Sequence, residues 1–177
     1  PVALSYMLRG SSPIDAGGGK PSESEVVLMH EYAHHFMAEN AAYLVPRWYA
    51  ERKPKHTIAV SHGADAITWD QLERNANRRA RAFAAKGVKP GDFVAIGLPN
   101  SNVFFETTFA VWKCGATPTS LTWRLPRGEA AAVLDILKPS LVVGGQPDWN
   151  APNSLPADFV PEGMSDEPVA NPVSRYW

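Results

Sequence analysis

The sequence holds a single cysteine, Cys114, so neither an internal disulfide framework nor a multi-cysteine zinc site can form within it. A reducing, cytoplasmic setting is the default reading. Charge of one sign is also missing: 17 basic against 18 acidic residues leave a formal charge of -1, which offers no field for a phosphate backbone. Nucleic acid is not an expected partner. The densest basic series is Arg74, Arg78, Arg79 and Arg81, and it predicts a solvated helix face. Long apolar runs are absent as well, since Val26 to Met29 and Leu141 to Val143 fall far short of the roughly 20 residues that span a bilayer. No membrane span is expected. Pro1 to Leu8 lack a basic leader and run into Ser11, Ser12 and Asp15, so they read as ordinary chain and not as a signal peptide.

What the sequence does contain suits a globular core: 177 residues, of which 45% are apolar and 20% charged. Clusters among the 16 prolines and 13 glycines divide it into three stretches, 1–51, 52–144 and 145–177. In the first, Gly17-Gly18-Gly19 is a flexible break, and Lys20 after it does not make a phosphate-binding loop because no strand precedes it. Ser22 and Glu25 then have capping-box spacing, and Val26, Met29, Ala33, Phe36 and Met37 recur three and four apart, which predicts a helix over 23–40.

In the second stretch, Thr57 to Ser61 and Ala66 to Thr68 flank the turn His62-Gly63-Ala64-Asp65 and read as a hairpin. Thr68 and Gln71 form a second capping-box pattern. The helix that follows carries Leu72, Ala76, Ala80, Phe83 and Ala84 on one face and ends at Gly87. Phe93 to Leu98 suits a buried parallel strand, and Pro99-Asn100-Ser101 breaks it before a helix over 102–114. A short strand over 116–120, a helix over 127–137 and a strand over 141–143 complete the alternation. The fold class is therefore α/β, with a mainly parallel, incomplete sheet flanked by helices and an N-terminal helix ahead of it. The third stretch, with little apolar periodicity, predicts an irregular C-terminal tail that follows a surface.

Several short patterns of the middle stretch occur together: Ala66-Ile67-Thr68-Trp69-Asp70-Gln71-Leu72, Gly87-Val88-Lys89-Pro90-Gly91-Asp92-Phe93-Val94-Ala95, Leu98-Pro99-Asn100-Ser101 and Trp112-Lys113-Cys114-Gly115-Ala116. In order and spacing they resemble the N-terminal part of the adenylate-forming acyl-CoA ligases, over about residues 48–143. Pro172 to Trp177 is similar to the lead-in to that family's phosphate-binding loop. The resemblance implies an enzyme that adenylates a carboxylic acid with ATP and magnesium and passes the acyl group to coenzyme A. It places no catalytic or cofactor-binding residue within this chain, because the phosphate loop, nucleotide contacts and catalytic lysine of the family lie beyond the matching part. Gly91, Asn100 and Gly115 are then turn residues and Trp112 a core residue. The chain alone is expected to be inactive and to bind no ATP, and its partners to be the remaining portion of such a ligase or a second copy, met through exposed apolar surface.

A competing pattern lies in the first stretch. His30-Glu31-Tyr32-Ala33-His34 is an H-E-x-x-H sequence on a predicted helix, where residues four apart share a face and two imidazoles could hold zinc. With Trp48-Tyr49-Ala50-Glu51 downstream, it resembles a group of zinc metallopeptidases. That resemblance implies Glu51 as third ligand beside His30 and His34, and Glu31 as general base on a zinc-bound water. Arg52 stands where that group has glycine. The alternatives are a helix with surface histidines, or a chain whose opening residues and remainder have different origins. Among the other candidates, Cys114 reads as a buried structural thiol, and His56 and His62 as exposed residues without spacing partners.

Overall fold

The structure, a computed structural model, describes residues 41–169. The helix expected over 23–40, the H-E-x-x-H pattern and Pro172 to Trp177 lie outside the described residues. Within them, a 3-10 turn, Ala41–Leu44, leads into helix α1, Val45–Arg52. Pro46 sits in its first turn, where the missing N–H costs nothing, and Lys53 leaves it in an extended conformation ahead of Pro54.

Strands β1 (Ile58–His62) and β2 (Asp65–Thr68) form the expected antiparallel hairpin, with Val60 opposite Ile67 and His62 opposite Asp65. Helix α2 runs over Trp69–Ala85. The Thr68 hydroxyl accepts from the Gln71 N–H at 3.2 Å while the Gln71 side chain accepts from the Thr68 N–H at 2.8 Å, so the capping box closes in both directions. Leu72, Ala76, Ala80 and Phe83 are buried along one face; Ala84, assigned to that face by spacing, is exposed at the helix end.

The alternation continues with β3 (Phe93–Gly97), α3 (Asn102–Lys113), β4 (Thr117–Ser120), α4 (Arg127–Leu137), β5 (Leu141–Gly144) and β6 (Ser154–Leu155). The four strands form one parallel sheet in the order β4-β3-β5-β6. Side chains of a strand alternate between faces, and the core divides accordingly. Val94, Ile96, Leu141 and Val143 meet Phe83, Ala80, Ala110 and Val111 of α2 and α3, while Ala95 and Val142 meet Ala130 of α4 and Trp149. Burial of each large side chain stabilises the fold by about 1.5–3 kcal/mol.

The expectation of an irregular tail needs one correction. Residues 154–155 extend the sheet as its fourth strand, the Asn153 carbonyl accepting from the Val142 N–H at 3.0 Å. Two residues are too few to show a period of two, so no pattern announced this strand. Beyond it, residues 156–169 have no regular structure and run along α2 as a strap.

Candidate functional site

The chain leaves β3 through α3 to reach β4 on one side, then returns through α4 to β5 on the other, and continues outward to β6. Where neighbouring parallel strands send the chain in opposite directions, their carboxyl ends open a crevice, the usual ligand position of an open α/β sheet. Here that point lies between Gly97 and Gly144. The backbones close on each other: the Gly145 N–H donates to the Gly97 carbonyl at 2.7 Å, and a Cβ on Gly144 would stand 2.6 Å from that same oxygen. Gly144 and Gly145 have φ of +77° and +82°, in the region that favours glycine. Trp149, on the 3-10 turn Pro147–Trp149, packs with Ala95, Ala130 and Val142 on the α4 side of the sheet. Its indole is only 5% exposed, and its Nε1–H donates to the Leu125 carbonyl at 3.0 Å. None of these groups is an acid, a base or a nucleophile.

A second cluster lies between α2 and α3. Lys113 donates to both carboxylate oxygens of Glu73, at 3.0 and 2.8 Å, and Arg79 pairs with Glu106 at 3.0 Å. Asn77 donates to Glu73 at 3.1 Å and Asn75 to Glu106 at 2.7 Å. Both ion pairs are buried. Burial lowers the Lys113 ammonium below its ordinary value, and the Glu73 carboxylate beside it partly offsets that. The pairs join the two helices, and Glu73 with its partner Asn77 also reaches the floor of a groove.

That groove, of about 370 Å³, is lined by Arg47, Glu51, Asp70, Glu73, Arg74 and Asp166 among others. Its charges cancel locally: Asp70 takes Lys55 and Arg74, each at 3.1 Å, and Asp166 takes Arg78 at 2.6 Å. The strap closes one wall, since Arg79 donates to the Phe159 carbonyl and Arg81 to those of Ser165 and Glu167. The arginine series expected to be a solvated face is thus corrected. Arg79 is buried, and Arg78 and Arg81 hold the tail, because a long guanidinium stem covers apolar surface while its five N–H groups reach carbonyls.

Glu51 lies on α1, exposed, with Arg47 at 2.8 Å and Arg52 at 3.4 Å. His30, Glu31 and His34 are outside the described residues, among which no three His, Cys, Asp or Glu side chains gather as metal ligands would. Cys114, read as a buried thiol, is half-buried against the core; desolvation pushes its thiol up to about 12, and Sγ–H donates to the Ala80 carbonyl at 3.3 Å. His56 and His62 are exposed, and Trp112 is half-buried with its ring edge-on to Phe109 at 5.3 Å. Sequence reasoning missed the two buried pairs. A signal existed, since Glu73 follows Leu72 and Arg79 precedes Ala80 on the stripe of α2 that the apolar spacing buries.

The sequence matches the AMP-binding enzyme family over residues 46–172. The chain belongs to that family. A feruloyl-CoA synthase of Amycolatopsis sp is 42% identical over 74 residues, which are 42% of this chain and 15% of that protein. A dimodular nonribosomal peptide synthase of Bacillus subtilis (strain 168) is 32% identical over 112 residues, 63% of this chain and 5% of that one. This AMP-binding family chain thus spans a small part of the curated relatives it matches. Among solved structures, the N-terminal subdomain of Klebsiella oxytoca NpsA superposes with a TM-score of 0.62 at 17% identity, over 75% of this chain and 35% of that one. The nonribosomal peptide synthetase FmoA3, bound to alpha-methyl-L-serine-AMP, gives 0.64 at 24% identity, over 72% and 15%. These likenesses establish a shared α/β fold. No helix among the described residues is long and apolar enough to cross a membrane.

Proposed function

We propose that this chain supplies the scaffold of an acid-activating ligase and leaves the chemistry to a further portion of the same enzyme. In the reaction class, a carboxylate oxygen attacks the α-phosphorus of ATP, with magnesium, and pyrophosphate leaves; the coenzyme A sulfur then attacks the acyl carbon and AMP leaves. Adenylation gives a poor electrophile a good leaving group. The observation that carries the reading is the family match over residues 46–172, laid on a structure whose family motifs are turns, caps and core. The pairing of the buried charges with one another supports expecting the nucleotide contacts in the further portion. Exposed apolar side chains such as Ile136, 85% exposed, and Val160, 64%, suit burial against the complementing portion or a second copy.

Acid-dependent exchange of labelled pyrophosphate into ATP tests this reading. The chain alone should give background exchange, and mixing with a folded polypeptide carrying the remaining parts of a feruloyl-CoA-synthase-like enzyme should restore it. Exchange by the chain alone, or a failure to complement with a well-folded partner, would refute the scaffold assignment.

A further inference from the structure

We propose that the groove between α1, α2 and the strap is a binding site for a small molecule carrying a primary ammonium group. Its floor holds an acceptor without a donor. Asn77 lines the groove and is 1% exposed, yet its Oδ1 has no hydrogen-bond partner among the described residues. The other end of the amide fixes its orientation, since Nδ2 donates to Glu73 Oε1 at 3.1 Å and to the Asp166 carbonyl at 2.9 Å. Turned over, the amide would set its oxygen against both of those acceptors. The orphan is therefore an oxygen, and buried oxygens are in the large majority met by a donor. The missing partner must bring an N–H or O–H.

The neighbours of that oxygen choose among donors. Among the described residues, Glu73 Oε2 accepts from Lys113 alone, at 2.8 Å, and Asp166 meets Arg78 and Arg74 through Oδ2, which leaves its Oδ1 without a partner. A carboxylate oxygen has room for about two hydrogen bonds. Three oxygens with capacity to spare, two of them on carboxylates, suit a group with three N–H donors, a positive charge and no acceptor; that group is a primary ammonium. The wall cations are engaged elsewhere, Arg47 with Glu51 at 2.8 Å, and Lys55 and Arg74 with Asp70 at 3.1 Å. A metal ion is a poorer match, because no three His, Cys, Asp or Glu side chains among the described residues gather as its ligands. A volume of about 370 Å³ admits an amine with a short alkyl chain.

The test is calorimetric titration of the full chain with n-butylammonium chloride, set against tetramethylammonium chloride, which has the charge but no N–H. Saturable one-site binding of butylammonium is expected, with tetramethylammonium weaker by about tenfold or more, the loss of its hydrogen bonds. Asp166→Asn keeps the backbone carbonyl that Asn77 holds and removes the anionic oxygen, and should weaken butylammonium by about tenfold. Asn77→Leu should abolish its binding. If Asn77→Leu does not fold, the Asn77 side-chain amide resonances of the intact chain should shift on saturation with butylammonium and stay in place with tetramethylammonium. No saturable heat, an equal response to the two cations, an unmoved Asn77 resonance, or full affinity in Asp166→Asn overturns the proposal. No ATP or acid enters the experiment, so its outcome is separate from that of the pyrophosphate exchange.

Discussion

The parallel sheet and the contact between α2 and α3 are both buried and are built from opposite materials. In the sheet, Val94, Ile96, Leu141 and Val143 are at most 1% exposed and pack within one apolar cluster. Between the helices, Glu73, Arg79, Glu106 and Lys113 are 5–6% exposed and meet one another. Apolar packing tolerates a change of outline because every neighbour is interchangeable in kind. A buried ion pair does not, since each charge has surrendered its hydration and depends on one partner. The two regions therefore differ in how they fail.

The largest effect is expected from breaking one pair. Lys113→Met leaves the Glu73 carboxylate buried with the Asn77 amide as its donor among the described residues, and should destabilise the chain by about 3–5 kcal/mol in urea unfolding. Glu73→Leu combined with Lys113→Met should return most of that loss, because an apolar pair of similar volume pays no desolvation. A double variant as unstable as Lys113→Met alone would show that Glu73 matters through Asn77 and the strap and not through the lysine. Trimming the sheet sharpens the contrast. Ile96→Val should cost about 0.5–1.5 kcal/mol by the same measurement. A loss as large as that of Lys113→Met would erase the distinction between the regions.

The same contrast explains what was legible before the structure. Apolar periodicity is a local property, so α2, β3, α3 and β5 follow from spacing alone, and the Thr68–Gln71 box marks where α2 starts. Cys114, read as a buried thiol from its place at a helix end, is half-buried. Lys113 finds Glu73 forty residues away and Arg79 finds Glu106 twenty-seven away, and no local pattern encodes either distance. Trp149 is equally silent, because its neighbours Gly97 and Ala130 are brought together only by the strand order. The family motifs point to the fold, and they do so through turn glycines and caps; the partnerships that hold the helices are tertiary and appear only when the layers assemble.

The smallest effect belongs to the residue with the largest chemical claim on it. Glu51 is half exposed, and its partners Arg47 and Arg52 lie on the same helix, a geometry that stabilises by a few tenths of a kcal/mol at most. Glu51→Ala should shift the unfolding free energy by about 0.5 kcal/mol or less. As a zinc ligand, Glu51 would have to give up both arginines and meet two imidazoles, and its replacement would release bound metal. Zinc content after mild dialysis separates the two roles: a value near zero, unchanged in Glu51→Ala and His30→Ala, leaves Glu51 a surface ion-pair residue of α1. One zinc per chain, lost in either variant, would make Glu51 and His30 metal ligands and outweigh the small contribution of Glu51 to stability.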